Sequence, residues 1–184
     1  GIIALSGCLG GELARTLARK FNSRFGKTLI EPRALLTEAP RVMSAADPSK
    51  KMSKSQPKGG IFLDDSPADI KQKLMAAVTD SDSQIRYAPK EKPAISNLLE
   101  IFSTVTDEPI PSLEKRFAGK GYGFFKSELA REIAATFADF RKKKTALMKS
   151  PAKLKGVLAG GARKANARAE KKLGAIKKKI GISI

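Results

Sequence analysis

Histidine is absent from this 184-residue chain, and cysteine occurs once, at Cys8. A lone thiol excludes an internal disulfide. The lone cysteine suits a reducing compartment, and without a Cys/His cluster for zinc the chain lacks a structural metal site. No apolar run reaches the roughly 20 residues that span a bilayer. Acidic residues are scarcest toward the end: residues 141–184 hold 15 lysines and arginines against Glu170 alone, a net +14 of the chain's +18. Residues 1–140 therefore carry only +4. That imbalance points to a polyanionic partner. A hydrophobic share of 41% still suffices for a core, in one ordinary domain or two small ones.

What the chain does contain is Lys51-Met52-Ser53-Lys54-Ser55, two ammonium groups separated by small hydroxyl residues. Each lysine brings three donors and a unit charge, while Ser53 and Ser55 add hydroxyls and leave room for the backbone to approach phosphate oxygens. The pattern makes ATP the first ligand to consider. Turn residues flank it on both sides, Asp47-Pro48-Ser49-Lys50 before and Gln56-Pro57-Lys58-Gly59-Gly60 after, as expected of a segment that closes over substrate. The competing reading is a solvated Lys/Ser loop in a very basic protein.

Periodicity organises the rest. Ile2 to Leu5 reads as a buried strand feeding a helix over about Gly11 to Phe25, with Leu13, Leu17, Phe21 and Phe25 recurring every four residues. Gly1 to Gly11 also resembles a signal core, and Leu5-Ser6-Gly7-Cys8 a lipoprotein cleavage site, but the stretch lacks a positive lead and the buried strand is preferred. Val42-Met43 reads as a further short strand, which places Lys51 to Ser55 just beyond a strand's C-terminal end, where open α/β sheets bind ligands. Ser66 (N-cap), Pro67 and Asp69 start a helix that should run to about Val78, burying Ile70, Leu74 and Val78. From residue 94 the signal is helical, through Ile95, Leu98, Leu99 and Phe102, then Leu129, Ile133, Phe137 and Phe140 toward Leu147. Ser150-Pro151 restarts a last helix with the stripe Leu154, Leu158, Ala162, Ala165, Ala169, Leu173, Ile176 and Ile180. One side of it is expected to pack while the other is nearly all lysine and arginine, with Gly156, Gly160 and Gly161 weakening its middle. The fold class is thus α/β followed by an all-α part, mostly helical overall.

The basic face suits nucleic-acid phosphates, which set affinity and register but read little sequence. A solvated or membrane-surface face is the alternative. Tyr122, Phe124 and Phe125 offer stacking surfaces, although aromatics at a helix entry are more often core.

Lys51 to Ser55 reproduces the second signature of class I aminoacyl-tRNA synthetases, and most of the chain resembles the tryptophanyl-tRNA synthetases. The words that carry the resemblance are Glu12-Leu13-Ala14-Arg15 with Phe21-Asn22 and Phe25-Gly26, Arg41-Val42-Met43-Ser44, Asp47-Pro48-Ser49-Lys50, Ala77-Val78-Thr79-Asp80-Ser81, Lys92 to Ile101, and Phe117-Ala118-Gly119-Lys120-Gly121-Tyr122-Gly123. Tyrosyl-tRNA synthetases share the loop type and are not expected to share the last two words. The resemblance implies that residues 1–65 are the C-terminal part of a Rossmann-like catalytic domain and residues 66–184 a helical domain that contacts tRNA. It also implies a preceding half with a His-rich signature, the tryptophan pocket and much of a dimer interface, so the chain is expected to be a C-terminal portion. Where that family has an acidic, amide-rich word, this chain reads Ala4 to Gly11, and nucleotide contacts are not carried over there. The implied chemistry is ATP-dependent activation of tryptophan and transfer to tRNA(Trp). Lys54 is the main triphosphate contact and Lys51 assists, as the catalytic pair; Val42, Met43, Met52, Ser53 and Ser55 complete the ATP site. Mg²⁺ arrives held mainly by ATP. A homodimer is expected for the intact enzyme, with no membrane, in the cytoplasm; an organelle matrix is also compatible. The alternative is a non-enzymatic basic RNA-binding module.

Overall fold

In the computed structural model, β1 (Ile3–Ala4) pairs in parallel with β2 (Arg33–Ala34), Ile3 opposite Arg33 and Ala4 opposite Ala34, and helix α1 (Leu9–Phe25) lies between them in sequence. The structure describes residues 3–4, 9–34 and 41–182. Ile2, Leu5 and the Ser6-Gly7-Cys8 word lie outside them. The chain divides into two units, Gly1–Thr37 with Leu147–Ile184, and Glu38–Ala146.

In the first unit, α1 is turned differently from its apolar spacing. Leu13 and Leu17 are 60% and 56% exposed, while Ala18 is buried. Beside Ala18 and the half-buried Phe21 and Phe25, polar groups turn inward because they organise the return to β2. The Asn22 carboxamide accepts from the Thr28 and Leu29 N–H groups (2.9 and 2.8 Å) and donates to the Leu29 carbonyl (2.8 Å). Arg15 donates to the Pro32 carbonyl (3.1 Å). Gly26 turns the chain at φ +79°, a left-handed backbone suited to glycine. The satisfied backbone of a tight β-α-β connection outranks the leucine stripe here.

The last helix, α7 (Pro151–Ile180), runs 30 residues without interruption and closes on Gly181 at φ +75°. Its glycines do not break it, and none of its residues is buried. The expected packed side is therefore not formed: Leu158 and Leu173 are 62% and 48% exposed. The helix is instead tied by lysines. Lys172 and Lys179 donate to the carbonyls of Thr28 and Phe25, each at 2.8 Å, placing cations at the negative end of α1.

The second unit holds the apolar core. Ser66 and Asp69 form the expected reciprocal cap of α2 (Pro67–Met75). This helix buries Ile70 and Leu74 but ends before Val78, which is 45% exposed. Buried Lys126 donates to the carbonyls of Ala77 (2.7 Å) and Met75 (3.4 Å), capturing that end. Helix α3 (Pro93–Thr106) buries Ile95, Leu98, Leu99 and Phe102 as the spacing predicts, and the Asp80 carboxylate caps it from a distance by accepting from the Ile95 N–H (3.0 Å). Helices α4 (Ile110–Phe117) and α5 (Tyr122–Thr136) close the core, where Phe102, Phe117 and Phe125 meet with centroids 4.9–5.5 Å apart. Helix α6 (Ala138–Met148) buries none of its residues. Among the described residues no helix is long and apolar enough to cross a membrane.

Candidate functional site

Val42–Ser44 and Lys50–Met52 pair as two antiparallel segments. Ser44 N–H donates to the Lys50 carbonyl (2.8 Å) and Met52 N–H to the Val42 carbonyl (3.0 Å), with Met43 opposite Lys51. The expected strand at Val42-Met43 is thus a bridge to the loop itself, not a member of the β1–β2 sheet. The reason lies in the turn between them. Asp47 accepts from both the hydroxyl and the N–H of Ser49 (2.6 and 3.1 Å), its carbonyl accepts from Lys50 N–H (3.0 Å), and its carboxylate pairs with the Lys50 ammonium at 2.9 Å. A turn this well satisfied folds the chain back after six residues.

These contacts lower the Asp47 pKa to about 2, chiefly through the Ser49 hydroxyl, then Lys50 and the Ser49 amide. A depressed carboxylate stabilises the turn above the ordinary range and loses that contribution as the pH falls toward the folded value. The Ser49 amide resonance is therefore expected to titrate with a midpoint of about 2. A midpoint in the normal Asp range near 4 would show the turn contacts absent in solution.

The base of the loop is closed by Ser44 and Gly59. Buried Ser44 accepts through its hydroxyl from the N–H groups of Ala46 and Asp47 (3.2 and 3.3 Å). The Gly59 carbonyl accepts from Ala45 N–H (2.9 Å), and a Cβ on Gly59 would lie 1.9 Å from the Ser44 hydroxyl oxygen. Only glycine fits that approach.

Beyond the ladder, the loop tip faces solvent. Ser53 and Ser55 share a hydroxyl hydrogen bond (2.8 Å), Ser55 N–H donates to the Ser53 hydroxyl (3.3 Å), and Gln56 N–H to the Ser53 carbonyl (3.2 Å). Lys51 and Lys54 are exposed and have no carboxylate partner among the described residues, whereas neighbouring Lys50 is paired. The Ser53 and Lys54 N–H groups donate to no intramolecular partner among the described residues either. Among the described residues the tip therefore presents two unpaired ammonium groups beside free backbone donors, a combination suited to a polyanion.

Val42 and Met52 are half-buried and line an apolar cavity of about 220 Å³ with Ile61, Phe62, Ile101 and Phe137. Their side chains belong to the packing of this unit. Met43 offers no free backbone group, because both its N–H and its carbonyl bond to the side chain of Asn97 (3.0 Å each). Asn97, Ser44 and Gly59 are the residues that sequence reasoning left outside the site. The available signal was an amide next to the apolar positions Ile95, Leu98, Leu99 and Ile101. Of the aromatics proposed to stack, Phe125 is fully buried and Tyr122 donates to Asp82 (3.2 Å) and the Gln84 carbonyl (3.1 Å). Phe124 is 50% exposed, with the Lys120 ammonium 4.9 Å from its ring centre.

Residues 11–138 match the family model described as tRNA synthetases class I (W and Y). The chain is 43% identical over 173 residues to tryptophan–tRNA ligase 2 of Streptomyces avermitilis, covering 92% of this chain and 51% of that one. It is 41% identical over 174 residues to the tryptophan–tRNA ligase of Listeria monocytogenes, covering 93% and 52%. In structure it resembles tryptophanyl-tRNA synthetase from Mycoplasma pneumoniae, with a TM-score of 0.82 and 30% identity over 95% of this chain and 55% of that one. The Campylobacter jejuni tryptophanyl-tRNA synthetase complexed with ADP and tryptophan gives a TM-score of 0.64 at 31% identity, over 93% and 53%. The chain spans about half the length of the curated relatives it matches.

Proposed function

The chain belongs to the class I tRNA synthetases for tryptophan and tyrosine, and from that premise we propose that it provides the phosphate-gripping loop and helical part of a tryptophan–tRNA ligase. The observation that carries this reading is the loop tip, where Lys51 and Lys54 have no carboxylate partner among the described residues, Lys51 on the ladder and Lys54 just beyond it. Tryptophan rather than tyrosine is favoured because the relatives at 41–43% identity are tryptophan–tRNA ligases.

In the proposed reaction the tryptophan carboxylate attacks the α-phosphorus of ATP, pyrophosphate leaves, and the aminoacyl group passes to the terminal adenosine of tRNA(Trp). Magnesium enters with the nucleotide as MgATP. This chain's part is positioning and charge. As negative charge builds on the departing β- and γ-phosphates, the ammonium of Lys54, assisted by Lys51, stabilises it from a fixed loop, and no residue here moves a proton. The Ser53 and Ser55 hydroxyls hold the tip in shape. Val42 provides the adenine-side contact, with Met43 as its neighbour, and the Met52 and Ser53 backbone sits beside the nucleotide. That the Campylobacter jejuni neighbour is complexed with ADP and tryptophan supports ATP and tryptophan as the substrates.

The proposed division assigns residues 1–65, the C-terminal part of a Rossmann-like domain, to the nucleotide and residues 66–184 to tRNA. It places the chain in the C-terminal portion of a homodimeric enzyme of the cytoplasm. Aminoacylation tests the reading: the protein carrying this sequence should charge tRNA(Trp) with labelled tryptophan in an ATP-dependent manner. RNA binding without charging would favour the basic module instead.

A further inference from the structure

We propose that Asn97, on α3 in the core of the helical part, is a positioning residue that sets the register of the phosphate-gripping loop; the inference rests on the reading of Lys51 and Lys54 as triphosphate ligands. Along an extended segment, the N–H and carbonyl of one residue point to one edge and those of its neighbours to the other. Here the Val42 carbonyl and Ser44 N–H face Met52 and Lys50, so Met43 presents its own pair to the opposite edge. No strand lies there. The side-chain amide of Asn97 takes its place, accepting from Met43 N–H and donating to the Met43 carbonyl, each at 3.0 Å, with the residue only 4% exposed.

The Val42–Ser44 segment, on which the segment carrying Lys51 is paired, is thereby held from both edges. Met43 sits directly opposite Lys51, and a slip of one residue in this pairing would send the Lys51 side chain to the other face. An amide is the group the position requires, since only a side chain with one donor and one acceptor in the same plane satisfies both backbone groups. Serine or leucine would leave a buried polar group unpaired. Through Met43 the amide links a core helix to the loop, 54 residues apart in sequence.

Amide hydrogen exchange on the protein that carries these 184 residues, and on two variants of it, provides the test. Asn97→Ala is expected to lower the protection of the Ser44 and Met52 amides by about 10- to 100-fold, while Leu129 in the α5 core changes by less than about threefold. Asn97→Asp supplies the readout that plain packing would not move. Its carboxylate repels the Met43 carbonyl when ionised but donates to it when protonated, so protection lost at neutral pH should return on acidification. The surroundings Ser44, Ala45, Pro48, Val78, Ala94 and Leu98 hold no other titratable side chain, and the wild type should show no such recovery. The inference is overturned if Asn97→Ala leaves both ladder amides protected, or if Asn97→Asp shows no recovery at low pH. MgATP added to the wild type separates the two readings: unmoved loop resonances would count against phosphate binding alone, while the exchange pattern still decides Asn97.

Discussion

Replacing Lys54 with alanine is expected to slow tryptophan-dependent ATP–pyrophosphate exchange by about 30- to 1,000-fold, which corresponds to about 2–4 kcal/mol of lost transition-state stabilisation. The estimate is that of one preorganised electrostatic donor. Lys54 is exposed and makes no ion pair among the described residues, so its removal leaves the fold unaltered and the loss falls on chemistry. Tryptophan affinity should stay unchanged, because Lys54 is assigned to the phosphates that leave. Lys51→Ala should cost less, since Lys51 sits on the ladder opposite Met43 and only assists. Exchange at the wild-type rate in Lys54→Ala would remove the proposed role.

Neutralising Lys164, Lys171 and Lys178 together is the second large effect. Their seven-residue spacing puts them on one face of α7, all exposed and without carboxylate partners among the described residues. If each meets one tRNA phosphate, their replacement by glutamine reduces the slope of log affinity against log salt by about 3. At about 0.1 M salt it weakens tRNA binding by about 500-fold. Lys172 and Lys179 are the internal control. They bond carbonyls at the end of α1, so their replacement should loosen that contact and change the salt slope far less. Equal slopes for the wild type and the triple variant would place the tRNA elsewhere.

Where local chemistry and packing agree, the residues alone identify the structure. Ser66, Pro67 and Asp69 start α2, and the apolar face Ile95, Leu98, Leu99 and Phe102 forms the core of α3. The loop word was legible because charge and size at Lys51 to Ser55 are chemical properties of the residues. The failures have physical causes too. Leu13 and Leu17 repeat every four residues but point outward, because Asn22 and Arg15 on the other side satisfy the backbone of the return to β2. The stripe of α7 keeps its rhythm and still buries nothing, since periodicity marks which residues share a face and does not supply a partner. The early end of α2 depends on Lys126, about 50 residues away. For Asn97 the local signal stopped at a polar residue among apolar neighbours and did not name its role, because its partner Met43 is brought to it only by the tertiary fold.

Amino-acid-dependent ATP–pyrophosphate exchange by the protein that carries these 184 residues, run against tryptophan, tyrosine and a panel of other amino acids, tests the central claim most directly. Exchange with tryptophan alone, lost on Lys54→Ala, is the predicted result; exchange driven by tyrosine, or none with any amino acid while RNA binding persists, would contradict it.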